Sequence, residues 1–179
     1  MKHVIIGIGA AGMTAARTIR ELAPNDEIVM LSVDEKPHSR CMLHKYLSHE
    51  RDEDGLNFVP ADFFEKNHIW HIPGCRVEKL DTDRKKVIYG GGIACDYDRL
   101  LIATGAESFI PPVGALRTAL NVFGLRHLSD AKAIDERAKD AKKIVIIGSG
   151  LVGLDAAYGL LEQKKEIVIV EMAERILPI

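Results

Sequence analysis

The chain is 179 residues long with a formal net charge of −2. That length holds one domain or two small ones, and so even a charge balance offers no basic face to nucleic acid or to an anionic membrane. Cys41, Cys75 and Cys95 are odd in number and form no Cys-x-x-Cys pair, which argues against a disulfide framework and a metal centre and for a reducing cytoplasm. The opening Met-Lys-His and its apolar run look briefly like a secretory leader, but glycines interrupt it and Arg17, Arg20 and Glu21 follow. No apolar run approaches the roughly 20 residues of a membrane span.

The run from His3 to Ile8 does not alternate, which predicts a strand buried on both faces of a parallel sheet. Gly7-x-Gly9-x-x-Gly12 follows. In such a turn the first two glycines let the backbone bend tightly against a pyrophosphate, and the third lets the next helix pack close to the strand. The predicted helix, Ala10 to Leu22, points its first N–H groups at that phosphate, Ala11 among them. Ala23-Pro24-Asn25-Asp26 ends it, and a second strand is expected over Ile28 to Leu31.

Pro37 to Leu47 mixes polar and apolar residues and contains Arg40, Cys41 and Lys45. A charged, turn-rich stretch leads to a short amphipathic helix predicted over Val59 to Asn67. His68 and His71 have metal-pair spacing, but lack nearby cysteines or carboxylates and are read as structural. Arg76 to Asp81, Lys86 to Tyr89 and Ala94 to Tyr97, with the Gly90-Gly91-Gly92 turn, predict antiparallel strands. Cys75 and Cys95 fall there and are expected to be inert. Asp98 to Gly105 predicts another buried strand, ending Ala103-Thr104-Gly105. Pro111-Pro112 and Gly114 read as a stiff connector, and Ser129 or Asp130 as the cap of a helix running to about Lys139.

Lys142 to Glu171 repeats the opening pattern. An apolar run, Ile144 to Ile147, meets Gly148-x-Gly150-x-x-Gly153; a helix begins at Leu151 and Val152; and a second apolar run closes on Glu171, 18 residues beyond Gly153. The ribose-binding acid of a dinucleotide fingerprint is expected about 20 residues on. Glu171 would accept from both ribose hydroxyls and repel a 2′-phosphate, favouring NADH over NADPH. Superposing the two copies puts Ser32 opposite Glu171, so in the first copy Asp34 or Glu35 takes the ribose role; the plain alternative for each is a solvated loop acid. One such glycine turn is weak evidence, but two, each strand-turn-helix-strand, predict two dinucleotide sites.

These two units, Arg40-x-x-x-x-Lys45 and the segment Tyr97 to Gly105 together resemble the flavoprotein pyridine nucleotide-disulfide oxidoreductases, in particular the ferredoxin reductase, nitrite reductase and NADH oxidase branches. The resemblance implies an α/β fold of two Rossmann-like units binding FAD and NAD(H) on parallel sheets, with a small antiparallel segment. The FAD-binding part would cover residues 1–110 and a partial NAD(H)-binding part residues 111–179. It further implies FAD contacts at Arg40, at the backbone of Val77, at Thr104 and Gly105, and at Arg126, whose neighbour His127 replaces the family's threonine.

By the same resemblance Lys45 stands beside the flavin ring, where an ammonium would stabilise developing negative charge. Asp155, in place of a family glutamate, would be its partner across the domain interface. Cys41 is either a redox-cycling thiol, as in the single-cysteine oxidase and peroxidase branch, or a small half-buried residue; the Cys-Gly-Met pattern of that branch is absent. A doubly wound unit needs more strands than Glu171 leaves room for. The chain is therefore expected to be the N-terminal portion of a homodimeric enzyme that passes electrons from NADH through FAD to a small molecule or redox protein. The alternative is a non-catalytic dinucleotide-binding fragment.

Overall fold

The computed structural model describes residues 1–177. In chain order its first elements are β1 (Lys2–Ile6), α1 (Ala10–Leu22), β2 (Glu27–Leu31), α2 (Leu43–Leu47), α3 (Phe63–Lys66) and β3 (Ile69–Ile72). Then come β4 (Val77–Asp81), β5 (Lys86–Tyr89), β6 (Ile93–Asp96), β7 (Arg99–Ile102), α4 (Leu128–Asp140), β8 (Lys143–Ile147), α5 (Leu151–Glu162) and β9 (Glu166–Val170). They form two compact units, Met1–His38 with Asn57–Ala106, and Ser39–Leu56 with Glu107–Ile179. Residues 39–56 therefore belong with the second glycine turn, which differs from the expected single boundary near residue 111.

In the first unit a parallel sheet has the order β3-β2-β1-β7, and the two-sided core predicted for β1 is shared by β2, whereas β7, expected to be buried, leaves Leu101 and Ile102 exposed. Ile5, Ile28 and Met30 pack with Met13 and Ala16 of α1 and Phe63 of α3. Their neighbours Val4, Ile6, Val29 and Leu31 point the other way, onto Cys75, Val87 and Cys95 at the antiparallel sheet β4-β5-β6. Successive strand residues face opposite sides, so one short apolar run supplies both layers. The helix near Pro60 is only four residues long, because the Asn67 side-chain amide donates to the Phe63 carbonyl at 2.7 Å and His68 turns to φ 47°.

The second unit is built on helices around a two-stranded parallel sheet, β8-β9. Its core gathers Leu43 and Leu47 of α2, Leu56, Ala131 and Ala138 of α4, and Leu160 of α5. Gly159 sets how close α2 and α5 come: a β-carbon there would lie 2.5 Å from the His44 carbonyl oxygen and 3.0 Å from Leu47 Cβ. Gln163 adds a tie from α5 to α4, donating to Asp135 Oδ1 at 2.8 Å. α4 starts at Leu128 with His127 as its cap, two residues before the expected Ser129 cap, since Asp130 reaches back to accept from the His127 amide at 2.8 Å. Among the described residues β9 pairs only with β8, and Val168, Ile169 and Val170 are exposed.

Replacing Gly159 by alanine forces α2 and α5 apart and should lower stability by about 1–3 kcal/mol. Gly150→Ala, at a site where nothing lies within 4 Å, should stay within about 0.5 kcal/mol of the parent. Urea unfolding measures both; an unperturbed Gly159→Ala would contradict the close helix crossing.

Candidate functional site

The first glycine turn leaves β1 at Gly7, with φ at +112°. A β-carbon on Gly7 would stand 2.3 Å from the Ala103 carbonyl oxygen, and one on Gly12 would stand 2.0 Å from the carbonyl oxygen of Gly7. No side chain fits either place. Gly9 is the opposite case, with nothing within 4 Å, so the floor of the turn is open. Gly9 caps α1 without a side-chain bond, and no acid sits in the helix's first turn. The unpaired N–H groups beyond it, including that of exposed Ala11, are left for an anion.

Strand order marks the same edge as a candidate ligand site. β1 lies between β2 and β7, so the chain order reverses between β1 and β7, where open α/β sheets bind ligands beyond their carboxyl ends. Exposed Thr104 and Gly105 follow β7 at that edge, Gly105 with φ +73°. At the ends of β2 and β3 a shallow depression of about 310 Å³ is lined by Glu35, Lys36, Pro73 and Gly74. The amide of Asp34 donates to Ser32 Oγ at 2.9 Å, which shapes the loop into it. Val77 begins β4 opposite Tyr89, with a bulge before Lys79.

The second turn repeats the construction. Gly148 has φ +99°, and a β-carbon on Gly153 would lie 2.3 Å from its carbonyl oxygen and 3.4 Å from Ile146 Cγ2. In the first turn a β-carbon on Gly12 would likewise lie 3.4 Å from Ile5 Cγ2. Gly150 caps α5, whose first turn holds no acid and opens with exposed Leu151 and Val152.

Glu171 is held by four donors. Its Oε2 accepts from the amide and the hydroxyl of Ser149, each at 2.7 Å. Oε1 accepts from the amides of Met172 at 2.7 Å and Ala173 at 2.9 Å. The Ala173 amide, then the Ser149 hydroxyl and amide, favour the charged carboxylate and pull its pKa down to about 2. Sequence reasoning missed Ser149: it fills an unconstrained position of the turn, and only the fold shows it fully buried against the acid.

Residues 39–56 bring further predicted groups together within the second unit. Arg40 Nη1 donates to the Arg126 carbonyl at 2.9 Å and lies 2.8 Å from His127 Nδ1. Cys41 is exposed in a 3₁₀ turn, whereas Cys75 and Cys95 are buried and burial pushes both thiols up. His71 stacks on Phe64 with ring centroids 4.1 Å apart, and burial pushes its pKa down.

The expected pairing of Lys45 with Asp155 is corrected. Lys45 Nζ donates to both oxygens of Glu50, at 2.8 and 2.7 Å, and stands 5.1 Å from the Tyr158 ring centroid. Glu50 raises the Lys45 pKa and is itself lowered by it. Asp155 instead faces His44 Nδ1 at 3.8 Å, too far for a hydrogen bond. The chain turns back after α2 through His49, at φ 61°, and this returns Glu50 to Lys45.

A carboxylate whose folded pKa lies below its unfolded value stabilises the fold above the unfolded pKa and loses that contribution as pH falls toward the folded one. For Glu171 the window runs from about 4.5 down to about 2. The thermal midpoint of the wild-type chain should therefore fall more steeply below pH 5 than that of Glu171→Gln. Parallel pH profiles would contradict the four-donor arrangement.

The family model for pyridine nucleotide-disulphide oxidoreductases matches residues 1–179. The chain is 32% identical over 187 residues to an NADH oxidase of Methanocaldococcus jannaschii, covering 99% of the chain and 42% of that protein. Among solved structures it matches a putidaredoxin reductase in covalent complex with putidaredoxin, at 30% identity and TM-score 0.86 over 98% of the chain and 43% of the other. It also matches an NAD-dependent persulfide reductase of A. fulgidus, at 31% identity and TM-score 0.90 over 99% and 35%. The chain thus spans less than half the length of each of these proteins. With its two built glycine turns and a family match over every residue, the chain belongs to the pyridine nucleotide-disulphide oxidoreductase family, whose members use FAD and NAD(P)H.

Proposed function

We propose that the first glycine turn binds FAD, the second binds NADH, and the protein is an NADH-oxidising flavoprotein. The observation that carries the reading is the doubled steric cradle, in which Gly12 and Gly153 each admit no β-carbon over the preceding glycine carbonyl. The bound cofactors supply hydride transfer from NADH to flavin N5 and onward transfer of electrons to an acceptor.

The chain's own residues bind, orient and discriminate. The amides from Ala11 onward hold the FAD pyrophosphate in the space open above Gly9, and Asp34 or Glu35 takes the adenosine ribose. Val77 offers backbone to the adenine, and Thr104 and Gly105 offer it to the flavin nucleotide, joined by Arg40 and Arg126. Lys45 supplies the ammonium beside the flavin ring, and Glu50 holds its charge on. Asp155 belongs to the same environment through His44. At the second turn Gly148, Gly150 and Gly153, with the amides of Leu151 and Val152, receive the NADH pyrophosphate. Glu171, ionised at neutral pH, accepts from the ribose diol and repels a 2′-phosphate.

The acceptor is drawn from redox proteins, oxygen or peroxide, or disulfides, and the working form is a cytoplasmic homodimer. A second reading makes Cys41 the group that meets a peroxide, oxygen or disulfide substrate. It is favoured by exposure, since Cys41 is the exposed thiol of the three. Binding of dinucleotides without turnover is the third outcome, and the first test below separates it.

The purified chain should carry flavin absorbance, and NADH should bleach it anaerobically. Gly12→Ala should emerge colourless, since the added methyl meets the Gly7 carbonyl. A chain that cannot be loaded with FAD would overturn the reading, and one that holds FAD unbleached by NADH would reduce it to binding alone. Dithionite titration of the loaded chain addresses Cys41: two electrons per flavin are expected. A further two, lost in Cys41→Ser, would establish the cysteine reading instead.

A further inference from the structure

Ser149 lies between the first two glycines of the second turn, where the glycine spacing sets no requirement. Its side chain is nonetheless fully buried, and buried hydroxyls are normally found with a partner. That partner is Glu171, whose Oε2 takes both the hydroxyl and the amide of Ser149 at 2.7 Å. The other oxygen rests on the amides of Met172 and Ala173 in an exposed turn. The two ends of the carboxylate differ accordingly: one is anchored in the protein, and the other faces solvent on a turn with little packed around it. A carboxylate offers about four acceptor positions, and here all four are engaged. A ribose diol must enter by exchange, and the exposed amides are the donors that can give way.

We infer that Ser149 is a positioning residue for dinucleotide choice, its hydroxyl pinning Oε2 of Glu171 so that Oε1 meets the ribose diol of NADH and opposes a 2′-phosphate. The inference rests on the proposed NADH site at this turn. The terminal torsion of a glutamate is broad and only weakly restricted by itself, so orientation has to come from the donors. With the hydroxyl gone, Oε2 keeps one amide and the carboxylate can rotate away from the diol. NADH then loses an oriented acceptor, whereas NADPH loses only an oriented repulsion.

The test titrates the 179-residue chain and its Ser149→Ala variant with NADH and with NADPH by calorimetry. In parallel, the ¹³C resonance of the Glu171 carboxyl is followed against pH without dinucleotide. The dissociation constant for NADH should rise about tenfold in Ser149→Ala while that for NADPH stays the same or falls. The carboxyl should titrate at higher pH in the variant than in the parent. Ser149→Gly, which lacks the hydroxyl and packs differently, should behave alike. An unchanged NADH affinity would overturn the inference, whether or not the carboxyl midpoint moves. Equal weakening of NADH and NADPH would also overturn it, as the mark of a turn merely damaged. A wild-type chain that binds neither dinucleotide would overturn the NADH site itself, and the inference with it.

Discussion

The carbonyl oxygens of Gly7 and Gly148 each lie where a β-carbon of the third fingerprint residue would be, 2.0 Å away in one turn and 2.3 Å in the other. The two proposed dinucleotide turns depend on that exclusion. Because Gly12 and Gly153 carry no side chain, α1 and α5 start directly over the ends of β1 and β8. Their unpaired N–H groups are then left for an anion, and neither helix brings an acid into its first turn. The same geometry recurs in the packing below, where a β-carbon on Gly12 or Gly153 would stand at equal distance from Ile5 and Ile146.

The two units spend this common device differently. The first sets its turn at the reversal point of a four-stranded parallel sheet, backed on one face by helices and on the other by an antiparallel sheet. The second sets it on two strands and a helical core, and adds an acid whose charge is secured by four donors. Before any ligand arrives, those donors keep Glu171 ionised further into acid than an ordinary glutamate. In the proposed NADH site that charge is what would oppose a second phosphate.

Features set by a few adjacent residues were legible in the sequence. The glycine spacing, the doubly buried β1 and the acid after β9 are local patterns, and the structure realises each with the residues expected; β7, read as buried from the same kind of run, lies with Leu101 and Ile102 exposed. Features set by how the chain returns on itself were not. Two carboxylates could have met Lys45; the choice of Glu50 over Asp155 is made by the left-handed turn at His49, which no periodicity announces. That residues 39–56 pack with the second turn depends on Gly159, whose missing β-carbon admits the His44 carbonyl. In the sequence Gly159 is one glycine inside a helix. Ser149 was invisible for a related reason: its hydroxyl acts on a residue 22 positions away.

The central claim is that one chain holds two separate dinucleotide turns, so the most direct measurement counts ligands. Native mass spectrometry of the chain with FAD and NADH together should show a complex carrying one of each, and Gly12→Ala should lose the FAD mass while keeping NADH. Mutual displacement of the two ligands, or loss of both in Gly12→Ala as the variant stays folded, would contradict the account.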